Sequence, residues 1–119
     1  MKDIIFLSQR MMIFAIPLLV VALAAVFSER SGVINIALEG IMVMGAFSGT
    51  LFIYLMQEGD ILSGYPLLFA AMGVSIMSGI LFSFFHAFAS VNMLADQTIS
   101  GTALNLFAPA FAIFIARAV

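Results

Sequence analysis

The chain has 119 residues, of which 65% are hydrophobic and 8% are charged, and its net charge at pH 7 is -2. Soluble domains are about half apolar and about a quarter charged, so this composition excludes a soluble domain and predicts an integral membrane protein. Four scattered basic residues cannot neutralise a run of phosphates, which excludes nucleic acid as a partner. With no cysteine and one histidine, the sequence predicts no metal site and no cofactor.

The first apolar segment, residues 11–27, contains no charged residue and is expected to cross the bilayer as a helix. Its length is close to the minimum of about 17 residues for a spanning helix, and Pro17 inside it predicts a kink. The alternative is a signal peptide, since a basic flank, an apolar centre and small residues near its end occur together.

The second apolar segment, residues 33–56, begins with polar residues and is predicted to have a broken or re-entrant start. Asn35 and Glu39 stand four positions apart and would share one face of a helix. A carboxylate at membrane depth is a functional-site hypothesis, because it survives only when it faces protein or water. In the alternative, both residues only cap or hydrogen-bond a neighbouring helix. Gly45 and Gly49 form a GxxxG pair predicted to pack on another helix.

The third apolar segment, residues 66–89, carries a small residue at every fourth position. Small residues let helix backbones approach closely in lipid, so this stripe is predicted to pack on another helix. Chance is the competing explanation, since such residues are common in membrane helices. The members of the stripe are Ala71, Ser75, Gly79, Ser83 and Ala87.

A polar link precedes the fourth apolar segment, residues 99–116. Gln97, Gly101 and Asn105 recur every four residues across its start, and Pro109 predicts a bend. The two amides could line a solute pathway. Alternatively, Gln97 caps the helix and Asn105 hydrogen-bonds a neighbouring helix.

No catalytic constellation is visible in the sequence. It has no glycine-rich phosphate loop and no serine or cysteine beside a plausible base, so we expect the chain not to be an enzyme. Transport, pore formation and a structural membrane role remain open at this point.

Two blocks of the sequence resemble the permease subunits of ATP-binding cassette importers for nucleosides, simple sugars and related solutes. The first block matches the pattern Glu-Arg-x-Gly-Val-x-Asn-Ile-x-x-Glu-Gly, and the second follows the polar link. The matching residues are Glu29, Arg30, Gly32, Val33, Asn35, Ile36, Glu39 and Gly40 in the first block, and Gln97, Ile99, Ser100, Gly101, Ala103, Leu104 and Asn105 in the second.

The resemblance implies a polytopic helical bundle in a bacterial-type plasma membrane, of which residues 1–119 are the N-terminal part. It implies a second permease subunit, separate cytoplasmic ATP-hydrolysing subunits and an external solute-binding lipoprotein as partners. Asn35, Glu39, Gln97 and Asn105 would then line the solute path, where side-chain amides can match the hydroxyls and ring nitrogens of a nucleoside or sugar. The ATPase-docking loop of such permeases has no match here, so we expect an incomplete permease.

Two alternatives stay open. The related branched-chain amino-acid permeases are a second family within transport. A small structural or pore-forming protein of the holin type, complete at this length, belongs to a different functional class.

Overall fold

The structure, a computed structural model, describes residues 2–119, which form two compact units divided between Ile34 and Asn35. Four α-helices lie within these residues, and each is long and apolar enough to cross a membrane. This confirms the expected all-α membrane protein. The helices are α1 (Lys2–Arg30), α2 (Leu38–Glu58), α3 (Tyr65–Val91) and α4 (Gln97–Ala118).

The first unit consists of α1 and the turn that follows it. Pro17 lies inside the helix, which continues on both sides of it. The helix ends at Arg30, and the turn after it has Gly32 at a φ of +86°, a conformation that glycine adopts without steric cost. The Ser28 hydroxyl donates to the Val33 carbonyl at 2.9 Å and stabilises this turn.

The second unit is built on α2, which packs against both α3 and α4. Met44 of α2, Phe82 of α3 and Ala108 of α4 are buried together in its centre. Small residues at the helix crossings allow this approach, because helices in lipid associate through close backbone packing. The packing brings the start of α2 against the first half of α4.

The start of α2 differs from the expected segment. Residues 33–37 are not helical, and the helix begins at Leu38. A break at the start was expected, and the structure shows that the polar residue Asn35 lies within it while Glu39 lies in the first helical turn.

The α4 helix begins directly after Asp96, whose carboxylate accepts from the backbone N–H groups of Thr98 at 2.8 Å and Ile99 at 3.1 Å. These bonds satisfy donors that the first helical turn leaves unpaired. The cap is therefore Asp96, and the alternative that Gln97 caps this helix is wrong.

Candidate functional site at the start of helix α2

Asn35 shapes the backbone that enters α2. Its side-chain oxygen accepts from the backbone N–H of Ala37 at 3.1 Å, and the residue is half-buried. Asparagine favours such local turns because the oxygen of its short side chain can accept a hydrogen bond from the backbone N–H two residues further along the chain. Since Asn35 lies outside the helix, it does not share a helix face with Glu39, and that expectation is wrong.

Asn105 of α4 reaches across to the same break. Its Oδ1 accepts from the backbone N–H of Gly40 at 2.7 Å, and its Nδ2 donates to the backbone carbonyl of Ile36 at 2.8 Å. One amide thus satisfies a donor inside the first turn of α2 and an acceptor just before it. We call this pair of hydrogen bonds the Asn105 clasp.

Two glycines bring the backbones close enough for the clasp. A Cβ added at Gly40 would lie 2.7 Å from the Leu104 carbonyl oxygen, closer than real Cβ atoms approach such an atom. A Cβ added at Gly101 would lie 3.0 Å from the Cβ of Ile36 and 3.1 Å from the backbone nitrogen of Ala37. Glycine at both positions therefore lets α4 contact the break directly.

Glu39 is exposed in the first turn of α2, next to Gly40. The sequence predicts that a carboxylate at membrane depth faces protein or water, and residues 2–119 do not bury this one. The first turn of a helix carries partial positive charge from its unpaired N–H groups, which favours a carboxylate there. Glu39 is thus an exposed carboxylate at the break of a spanning helix.

Gln97 is half-buried at the first position of α4, eight residues before Asn105 on the same helix. Eight helical residues correspond to roughly 12 Å along the axis, so Gln97 is well separated from the clasp. The structure therefore brings Asn35, Glu39 and Asn105 together at the start of α2 and leaves Gln97 at the N-terminal end of α4.

The small residues of α2 and α3 meet at a second contact. A Cβ added at Gly49 would overlap the Ser75 hydroxyl and lie 3.4 Å from the Ala71 carbonyl, and one at Gly45 would lie 3.4 Å from the Ser75 carbonyl. A Cβ at Gly79 would lie 3.7 Å from a methyl group of Ile41.

Towards the end of α3, the members of the small-residue stripe no longer face α2. Ser83 is half-buried and Ala87 is exposed. Positions four apart advance about 40° per step on a helix of 3.6 residues per turn, so Ala87 is rotated roughly 160° from Ala71. The expectation that Ala87 packs on another helix is not met within residues 2–119.

Replacing Gly79 by leucine is expected to destabilise the α2–α3 contact, because the side chain must displace Ile41. Overpacking of this kind costs about 1–3 kcal/mol. Gly73 of the same helix is the matched control, since a Cβ there meets nothing within 4 Å. Thermal unfolding of the two purified leucine variants measures the difference, and equal midpoints would contradict the assigned packing of Gly79.

His86 is a polar residue whose position the sequence reasoning missed. It is 2% exposed, and its Nδ1 lies 3.2 Å from the Ser100 hydroxyl of α4. The signal was present, because an ionisable residue inside a spanning segment normally faces a polar partner in the protein. His86 thereby joins α3 to α4.

Residues 8–119 match the family described as "Branched-chain amino acid transport system / permease component". The chain is 45% identical over 107 residues to the guanosine ABC transporter permease protein NupQ of Bacillus subtilis, and 47% identical over 105 residues to the nucleoside ABC transporter permease protein NupC of Lactococcus lactis. These matches cover 89% and 88% of the chain.

A third relative is the putative glucose ABC transporter permease protein TsgC13 of Haloferax volcanii, 35% identical over 89 residues, which are 75% of this chain and 24% of that protein. The chain spans 32% of the length of each of the two nucleoside permeases. No solved structure was found to match it.

Proposed function

The chain belongs to the branched-chain amino acid transport system / permease component family, and on this premise we propose that it forms the first part of the membrane domain of a nucleoside importer. It is a multi-pass protein of the plasma membrane. The observation that carries the nucleoside assignment is the identity of 45% and 47% to two permeases named for guanosine and nucleosides. The glucose relative is less similar, at 35%, which favours a nucleoside over a sugar.

In this proposal the solute passes beside the broken start of α2. A nucleoside presents ribose hydroxyls and ring N–H groups, and a carboxylate accepts hydrogen bonds from both. Glu39 is exposed in the first turn of α2, while the amides of Asn35 and Asn105 are engaged with backbone groups. In the proposed path, Glu39 faces the solute, Asn35 and Asn105 shape the backbone beside it, and Gln97 lies farther along the path at the start of α4.

The partners follow from the kind of transporter named for the relatives. An ABC importer of this type would contain a second permease subunit, separate ATP-hydrolysing subunits in the cytoplasm and an external solute-binding lipoprotein. The permease then changes access between the two sides of the membrane while its partners supply the energy, so this chain carries no catalytic residue in the proposal.

Deleting the natural permease that carries this chain is expected to abolish ATP-dependent uptake of labelled guanosine, and restoring it is expected to recover uptake. Labelled glucose and leucine serve as matched solutes for the two alternatives within transport, and their uptake is expected to stay unchanged. Loss of glucose or leucine uptake with intact guanosine uptake would contradict the proposal and identify the alternative.

A further inference from the structure

We infer that Asn105 is a positioning residue, whose side chain replaces a missing hydrogen bond of helix α2 and thereby sets where α2 begins and how Glu39 is presented. The inference rests on the proposed function for the role of Glu39. The contact itself rests on the geometry of three residues, Ile36, Gly40 and Asn105.

A continuous α-helix has a regular pattern of backbone hydrogen bonds. There, each backbone N–H donates to the carbonyl four residues earlier, so Gly40 would donate to Ile36. In this chain the Asn105 amide takes both places: its oxygen accepts from Gly40 at 2.7 Å and its nitrogen donates to Ile36 at 2.8 Å. The next bond along the chain, from Ile41 to Ala37 at 3.0 Å, is the ordinary helical one.

A side chain inserted into the helical hydrogen-bond ladder is a recognised cause of a break. The amide suits this position because it has one donor group and one acceptor group side by side, matching the acceptor and donor that it separates. Neither a carboxylate nor a hydroxyl of similar size presents the same pair in the same geometry. The break in α2 is therefore maintained by a residue on α4, 65 positions away in the sequence.

Removing the Asn105 side-chain amide is expected to change the residue at which α2 begins. The groups of Gly40 and Ile36 can then bond to each other, as in a continuous helix, because unpaired backbone groups are costly at membrane depth. The helix gains residues before Leu38, and the first turn that carries Glu39 shifts relative to α4. Asn105 thus acts on the solute path through Glu39 without contacting the solute.

The test uses the natural permease with its partner subunits, in membrane vesicles that expose both faces to the reagent. Residues 1–119 contain no cysteine, so once any cysteine elsewhere in the permease is replaced by serine, a thiol placed by Glu39→Cys reports on this position alone. The measured quantity is its rate of reaction with a charged methanethiosulfonate reagent. Asn105→Leu is expected to change this rate about tenfold, roughly the effect of one hydrogen bond.

Thr102→Val is the matched control, since Thr102 is exposed on the same helix and its hydroxyl donates to Thr98 of its own helix. It should leave the rate at position 39 unchanged. A second reporter, Ser78→Cys, lies half-buried between α2 and α3 and detects general loosening. A rate change at position 39 without one at position 78 supports the inference; equal changes at both overturn it.

Asn105→Asp is the second variant for this test, used if the leucine variant does not accumulate in the membrane. It keeps an acceptor for Gly40 but presents no donor to Ile36, so the rate at position 39 should still change. An unchanged rate overturns the inference. These rates are measured without nucleoside, so the absence of guanosine uptake by the permease with Glu39 in place refutes the proposed function alone, and an unchanged rate at position 39 refutes the positioning role alone.

Discussion

Replacing Gly40 by alanine is expected to destabilise the protein by about 2 kcal/mol, within the range for overpacking a close contact. The added Cβ would lie 2.7 Å from the Leu104 carbonyl oxygen and 3.0 Å from Asn105 Oδ1. Neither atom can move freely, because one is helical backbone and the other belongs to the clasp. The higher helix propensity of alanine, worth about 1 kcal/mol, is too small to offset this cost.

Gly45→Ala is the matched control for this prediction. It lies on the same helix, and its Cβ would meet the Ser75 carbonyl at 3.4 Å, an ordinary contact distance. The thermal unfolding midpoint of the purified permease should fall for Gly40→Ala and stay close to the wild-type value for Gly45→Ala. A Gly40→Ala midpoint equal to that of the control would mean that α2 and α4 are not in direct contact here.

Replacing Glu39 by leucine is expected to reduce nucleoside transport by roughly tenfold to a hundredfold, the loss of a hydrogen bond to a charged group. Glu39 is exposed in the first turn of α2, so its carboxylate is open to a solute that donates hydrogen bonds. Glu58→Leu is the matched control, because Glu58 is exposed at the opposite end of the same helix.

The spanning helices were predictable from sequence, because uninterrupted apolar segments have few alternatives in a protein of this composition. The break before α2 was also predictable in outline, since Asn35 and Glu39 interrupt an apolar segment. The position of the break was not. Whether Asn35 lies before or inside the helix depends on its bond to Ala37 and on a residue of another helix.

The hydrogen-bond partners of Asn105 could not be predicted from sequence spacing. Its four-residue spacing from Gly101 places both on one face of α4, which the structure shows against the start of α2. The sequence left two uses open for this amide, solute contact or a bond to a neighbouring helix. Only the approach of Gly40 and Ile36 shows which backbone groups it meets.

The four-residue stripe of α3 predicted helix packing for only some of its members. Ala71 and Ser75 lie against α2, but a strict four-residue repeat turns about 40° per step around a straight helix. Its last member, Ala87, is therefore on another face. His86 beside it is buried against Ser100, a partner that no short-range spacing in the sequence identifies.

The claim that the start of α2 lies on the solute path is tested most directly by guanosine uptake in cells whose permease carries Glu39→Gln or Glu39→Leu, with membrane abundance measured in parallel. We predict that leucine reduces uptake at least tenfold at normal abundance, as expected for the loss of a hydrogen bond to a charged group. Retained uptake with glutamine would show that hydrogen bonding by residue 39 suffices, and its loss would show that the charge is required. Normal uptake by the leucine variant would contradict the account, because Glu39 would then take no part in solute passage.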